Sequence, residues 1–355
     1  MIQEYKVIGM MSGTSLDGLD LAYCRFFNEN EQWKFKLERA ETIGYSSELM
    51  EKLKNSVILS SEGLLELDVE LGRLFGKEAA EFINRYSLEP DFIATHGHTV
   101  FHQPHKGFTL QIGSPNYIYA QTGIPVVADF RGLDVALGGQ GAPLVPVGDR
   151  LLFGEYKACI NLGGISNISF EQNGQRIAFD IGVCNMLLNH ICQRLGKSYD
   201  EGGKLAKQGK ISKELLLQFN QLQQSKAETK FSLGYEWVSA NYFPLLGETE
   251  NINDLLATAT EHVCQTLAHE IEAAGIQGKV LITGGGAFNN FLISRLNEML
   301  GKEVEIEIPD YDLIGFKEAI IFGFLGVLKI RNEVNCLKSV TGAIQDSCSG
   351  VIYGA

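Results

Sequence analysis

The chain has 355 residues, 45% of them hydrophobic, enough to bury a large core spread over two domains and too apolar for a disordered chain. A formal charge of −13, with no run of Lys and Arg to offset it, would repel a phosphate backbone, so no nucleic-acid partner is expected. Seven cysteines without a C-x-x-C pair suit reduced thiols in a cytoplasmic protein, and the longest apolar run, Ala319 to Leu328, is short of the ~20 residues of a spanning helix, so neither export nor membrane insertion is expected.

In chain order, Lys6 to Met11 reads as an apolar strand, Gly13 to Gly18 as a turn, and Leu19 to Phe26 as a second strand, so a hairpin opens the protein. Its turn, MSGTSLDGLD, gathers glycines at 13 and 18, hydroxyls at 12, 14 and 15, and carboxylates at 17 and 20. Glycines let backbone N–H groups face phosphate oxygens, hydroxyls add donors, and a carboxylate can hold Mg²⁺. The plainer alternative is an ordinary turn satisfied by the same residues. The letters match neither G-x-x-x-x-G-K-[ST] nor G-x-G-x-x-G.

Leu64 to Tyr86 carries helical periodicity, and histidines then cluster at 96, 98, 102 and 105. No cysteine or carboxylate lies among them and a strand would scatter the rings, so no metal site is expected there. Ala158 to Phe170 repeats the opening grammar, ACI into NLGG into ISNISF, which predicts a duplicated architecture. Asp180 stands where an apolar strand gives way to a helix beginning near Asn185, an arrangement that points a carboxylate into a cleft. Asp254 to Ala274 is helical, Val280 to Phe288 is a strand breaking into three glycines, and Asn290 to Leu300 and Phe316 to Leu328 are helices.

The order of loops, Gly13–Gly18, then Asn161-Leu162-Gly163-Gly164, then Gly284-Gly285-Gly286-Ala287, resembles the superfamily of actin, hexokinase and the heat-shock ATPases. That resemblance implies an α/β, two-domain actin-like (ribonuclease H-like) ATPase fold with mixed sheets flanked by helices. Residues 1–130 with 318–355 would form domain I, and 131–317 domain II. The segments GMMSGTSLDGLDLA, THGHTVFH, TLQIG, VVADFRGLDVALGGQGAPLVP, NLGGISNI, FDIGVCNMLLN, ITGGGAFN, KEAIIFG and SVTGA together resemble the anhydro-N-acetylmuramic acid kinase family.

The family resemblance implies that ATP phosphorylates O6 of 1,6-anhydro-N-acetylmuramic acid while water opens the anhydro bridge at C1, in peptidoglycan recycling. ATP and Mg²⁺ would be the cofactors, the sugar the small-molecule partner, and a homodimer the assembly. Gly13, Thr14, Ser15, Leu16, Asp17, Gly18, Asn161, Gly163, Gly164, Gly284, Gly285, Gly286 and Asn289 would bind ATP, with Asp17 also meeting the metal. Asp180 would be the catalytic base; a carboxylate bonded locally at a helix start is its alternative. His96, Thr99, Arg131 and Glu318 would contact the sugar. Arg131 could grip a lactyl carboxylate, or pair with the flanking Asp129 and Asp134. Glu318 opens its predicted helix, so a helix-terminus carboxylate is the plainer reading there.

Three departures from the family's letters stand out. Asp180-Ile181-Gly182-Val183-Cys184-Asn185 replaces D-T-G-P-G-N, Lys230-Phe231-Ser232-Leu233-Gly234-Tyr235-Glu236 replaces P-K-S-x-G-R-E, and His98 stands where glutamine is usual. A kinase for another amino sugar such as N-acetylglucosamine, and a non-catalytic actin-like nucleotide sensor, are the alternative functions.

Overall fold

Strand β1 (Gln3–Ser12) is buried continuously from Val7 to Ser12, the signature of a strand covered on both faces and therefore central in its sheet. β2 (Leu19–Glu29) pairs with it antiparallel, and β3 (Gln32–Ile43) follows antiparallel to β2. β4 (Phe92–Gln103) adds to the other side of β1 in parallel, β5 (Phe108–Ile112) folds back on β4, and β6 (Val126–Ala128) runs parallel to β4. The computed structural model that shows this describes residues 3–30, 32–227, 233–247 and 251–354.

The second sheet repeats the plan. β7 (Ala158–Leu162), β8 (Ile165–Gln172) and β9 (Gln175–Val183) form an antiparallel meander, then β10 (Gly278–Thr283) joins β7 in parallel and β11 (Val304–Glu307) joins β10. Spatially the orders are β3-β2-β1-β4-β6 and β11-β10-β7-β8-β9, the same meander with two parallel strands added beside its first member. β12 (Val351–Tyr353) returns to the first sheet, antiparallel to β6. Two mixed sheets of one topology, each with helices, are the duplication that the two hairpins predicted and the ribonuclease H-like architecture that the resemblance implied.

Helices pack where their periodicity said they would. Ser60 caps the helix Ser61–Tyr86 by accepting the Gly63 N–H, and Leu67, Leu71, Phe75, Ala79 and Phe82 bury one stripe in a core shared with Ile8, Met10 and Ile93. In the second unit the helix Ile252–Ala273, capped by Asn251, packs Leu256, Ala259, Val263 and Leu267 into a core with Ile160, Leu187 and Ile282.

The chain divides into Met1–Phe153 with Phe316–Ala355, and Gly154–Gly315. Residue 130, the expected first boundary, falls within the first of these, because 131–153 bond to that unit through contacts such as Arg131 to His96. The last long helix runs Tyr311–Ile330, five residues earlier than its apolar run announces, since Asp310 accepts the Leu313 N–H at 2.8 Å and starts it. Glu318 accordingly lies in the interior of the helix, which removes the helix-terminus explanation for that carboxylate. No described helix is long and apolar enough to cross a membrane.

Candidate active site

In the first unit the pairing of β1 with β4 shifts register between Met10 and Ser12, where Gly97 takes φ 75° and a Cβ would lie 2.7 Å from the Ile112 carbonyl oxygen. This bend sets Ser12 beside His98, whose Nδ1 is 3.0 Å from Ser12 Oγ; the Tyr45 hydroxyl donates to the same Oγ at 2.6 Å. Next to the bend opens a cavity of about 300 Å³, lined by Met11 to Ser15 together with His96, Thr99, Arg131 and Glu318. All four residues assigned to the sugar by resemblance thus meet the first phosphate-type turn at one place. Met11 and Ser12 were not assigned to the site from sequence; Ser12 had only its hydroxyl, in a loop of hydroxyls, to signal it.

Arg131 is held from two sides. Its Nε donates to His96 Nε2 at 2.9 Å and its Nη1 to the Gly141 carbonyl at 2.6 Å. His96 Nδ1 lies 2.9 Å from the Gly97 carbonyl, which can only accept, so Nδ1 carries the proton and Nε2 is a free acceptor for Arg131. Burial, with the Arg131 cation adding to it, holds His96 well below the usual histidine range, consistent with a neutral ring. Burial also pushes Arg131 down to about 10, opposed by the Glu318 charge. Neither flanking aspartate pairs with it: Asp129 accepts the Gly132 N–H at 3.1 Å, and the buried Asp134 accepts Thr341 and Gly141. Among the described residues the other guanidinium N–H groups have no hydrogen-bond acceptor and Arg131 lines the cavity, so the ion-pair alternative falls.

Glu318 is exposed to the cavity yet surrounded by protein, which raises its pKa; Arg131 and Lys317 oppose the rise and Asp17 adds to it. Lys317 itself is engaged with Asp149, 2.7 Å away and also buried. Burial pushes Asp20 up to about 6 despite a 2.6 Å bond from the Thr42 hydroxyl, with Asp17 and Glu318 contributing to the rise. Asp17 is exposed and accepts the Ser15 hydroxyl at 2.7 Å. Among the described residues no cluster of three or more His, Cys, Asp or Glu could hold a metal by itself. The clustered histidines instead serve separate partners, His96 at Arg131, His98 at Ser12 and His102 at Thr109.

The second unit joins its two glycine loops directly. The Gly163 and Gly164 carbonyls accept the N–H groups of Asn185, Cys184 and Met186, and Asn185 Nδ2 donates to the Leu162 carbonyl at 2.8 Å. Gly284 takes φ 82°, and a Cβ there would sit 2.6 Å from Asn161 Oδ1, so glycine is required by the packing of one turn on the other as well as by any ligand. Gly285 is exposed, whereas Asn289 spends its side-chain oxygen capping the helix Asn290–Met299 through the Leu292 N–H.

Asp180 lies in β9 opposite Asn167, next to a register shift, and accepts the Leu233 N–H at 3.1 Å. The helix Asn185–Gln193 begins where the sequence placed it. Cys184 is buried with φ −137° and ψ −113°, outside the β and right-handed regions that residues with a Cβ favour, so the departure from the family's glycine puts a side chain on a sparsely allowed backbone. Lys230, Phe231 and Ser232 lie outside the described residues. Tyr235 is exposed and packs edge-on against Phe243, which stacks on His190 at 3.6 Å.

Comparison with known proteins bears on this geometry. Among solved structures, the activator of the 2-hydroxyisocaproyl-CoA dehydratase from Clostridium difficile with bound ADPNP aligns at 14% identity with a TM-score of 0.42, over 93% of this chain and 97% of that one. The anhydro-N-acetylmuramic acid kinase of Sulfurimonas denitrificans is 33% identical over 98% of both chains. That of Vibrio cholerae is 34% identical over 99% of both. The family model for anhydro-N-acetylmuramic acid kinase matches residues 5–355. With a match along nearly its whole length, and relatives at a third identity end to end, this chain belongs to the anhydro-N-acetylmuramic acid kinase family.

Proposed function

We propose that the protein is an ATP-dependent kinase that converts 1,6-anhydro-N-acetylmuramic acid to N-acetylmuramic acid 6-phosphate, consuming one water. The observation that carries this reading is the convergence of the Ser12–Ser15 turn with His96, Thr99, Arg131 and Glu318 on one cavity of about 300 Å³, a volume suited to a monosaccharide. A phosphate-type turn beside a pre-oriented guanidinium is what phosphoryl transfer to an anionic sugar asks of a protein.

In this reading the Arg131 fork takes the lactyl carboxylate, and Thr99 and Glu318 hydrogen-bond the sugar. Because its proton affinity is raised, Glu318 can change its charge at lower cost than an ordinary surface carboxylate. Asp180 takes a proton from water as its oxygen bonds to C1. The C1–O6 bond breaks, O6 accepts the γ-phosphoryl group of ATP, and ADP leaves. Backbone N–H groups of Gly13–Gly18, and of the Asn161–Gly164 and Gly284–Gly286 turns, would orient the nucleotide.

The donor set fits Mg²⁺ in one way: Asp17 offers an exposed carboxylate, with Asp20 and Glu318 adding negative charge nearby, so the ion would be shared with nucleotide phosphates and keep several waters. When bound it offsets phosphate charge. None of the seven cysteines is in a disulfide and six of them are buried, as suits the cytoplasmic location of this reading, in which the assembly is a homodimer.

The test is mass spectrometry of the product formed from ATP and the anhydro sugar in ¹⁸O-water, with ADP measured alongside. One ¹⁸O at C1, one phosphoryl group and one ADP per product are expected. A phosphorylated product with its anhydro bridge intact, or ADP release indifferent to the sugar, would overturn the proposal.

A further inference from the structure

We infer that Asp134 and Thr341 form an internal bracket that positions Arg131, making them positioning residues for recognition of the substrate's carboxylate. The inference rests on Arg131 being the carboxylate-binding group of the proposed function. Nothing in the reaction itself touches SVTGA at 339–343 or Asp134, yet both are tied to the cavity by a short path of hydrogen bonds.

Asp134 is 1% exposed. A carboxylate buried this deeply demands donors, and it has them: Oδ1 accepts the Thr341 hydroxyl at 2.8 Å and lies 3.1 Å from Cys336 Sγ, while Oδ2 accepts the Gly141 N–H at 2.7 Å. The loop 139–141 wraps this carboxylate so closely that a Cβ on Gly139 would fall 2.2 Å from Oδ2, and Gly141 takes φ 66° to complete the turn. From the other side, the Gln140 N–H donates to the Thr341 carbonyl at 2.8 Å. Gly141, clamped through its N–H, presents its carbonyl to Arg131 Nη1 at 2.6 Å.

Asp134 therefore acts on Arg131 through one residue rather than by direct pairing. This matters chemically. An aspartate salt-bridged to Arg131 would neutralise the guanidinium and occupy the fork that the substrate needs. An aspartate turned onto the loop leaves the fork open while fixing the carbonyl that orients it, and His96 fixes Nε from the opposite side. Thr341, contributed by a segment some two hundred residues further along the chain, decides which way Asp134 turns.

The experiment is steady-state kinetics of the full chain carrying Thr341→Val, Thr341→Ser, Asp134→Asn and Arg131→Met, the first two also in the Arg131→Met background. Thr341→Val and Asp134→Asn are expected to raise KM for the anhydro sugar about tenfold, with kcat and KM for ATP within about twofold of the parent. Thr341→Ser should restore the parent values, and Thr341→Val should add nothing once Arg131 is gone. Should Asp134→Asn fail to fold, the Thr341 pair decides alone. The bracket is refuted if Thr341→Val leaves KM for the sugar unchanged while Arg131→Met raises it, if it lowers kcat and raises both KM values together, or if its effect multiplies with that of Arg131→Met. If Arg131→Met itself spares KM for the sugar, the carboxylate role of Arg131 fails first and the bracket with it.

Discussion

Replacing His262 by Gln measures how the unit that carries Asp180 resists acid. The His262 ring is 1% exposed; its Nδ1 donates to Asn220 Oδ1 at 2.7 Å and its Nε2 accepts the Tyr242 hydroxyl at 3.1 Å, so both nitrogens serve a neutral imidazole. Burial pushes its pKa down from 6.5 to about 4. The folded protein thus refuses a proton that the unfolded chain accepts: this contribution to stability is complete above pH 6.5 and is lost as pH falls from 6.5 towards 4. At about 1.4 kcal/mol per pH unit, the loss between pH 7.5 and pH 5 is about 2 kcal/mol. Urea denaturation followed by Trp237 fluorescence reads it, because the Trp237 ring lies 5.8 Å from that of Tyr242 and a Trp33→Phe background silences the chain's other tryptophan. The parent should lose about 2 kcal/mol more than His262→Gln on acidification. Equal losses would refute the argument from burial.

Asp180→Asn should lower kcat by about 10²-fold or more with KM for the sugar changed only a few-fold, since a positioned base contributes at that scale; turnover near the parent's under saturating substrate would remove Asp180 from the chemistry. Asp20, raised to about 6, costs stability once ionised, a cost absent below its unfolded value of 3.8 and complete above pH 6. Asp20→Asn should therefore gain about 1–2 kcal/mol at about pH 7.5, allowing for partial solvent screening, and nothing at about pH 3, as thermal midpoints at the two pH values will show. Gly284→Ala, forcing a Cβ to within 2.6 Å of Asn161 Oδ1 at positive φ, should destabilise the second unit by about 2 kcal/mol, read again by Trp237.

The two opening hairpins, the long helices and the strand feeding Asp180 were legible because each carries its own periodicity and its own punctuation. Strand β3 was not. It has a period-two signal, Trp33, Phe35 and Leu37 alternating with Lys34, Lys36 and Glu38, but as an edge strand it lacks the continuous apolar run that marked the interior strands. The early start of the helix Tyr311–Ile330 was equally hidden, because Asp312 and Gly315 break up the apolar residues ahead of Phe316, and the first turn looks like loop until the Asp310 capping bond is seen.

The candidate site divides in the same manner. Residue types in local motifs, and their likeness to a family, were enough to nominate Arg131, His96, Thr99 and Glu318. By itself, though, the order of letters left Arg131 open between gripping a carboxylate and pairing with its neighbours Asp129 and Asp134. Only the folded chain turns Asp134 away onto Gly141 and Thr341, commits His96 to one tautomer, and assigns Asn289 to a helix cap. Local pattern is written in the residues themselves because backbone geometry repeats every two or every 3.6 residues. Which donor meets which buried acceptor depends on segments brought together by packing, and a buried polar group must accept the partner that packing supplies.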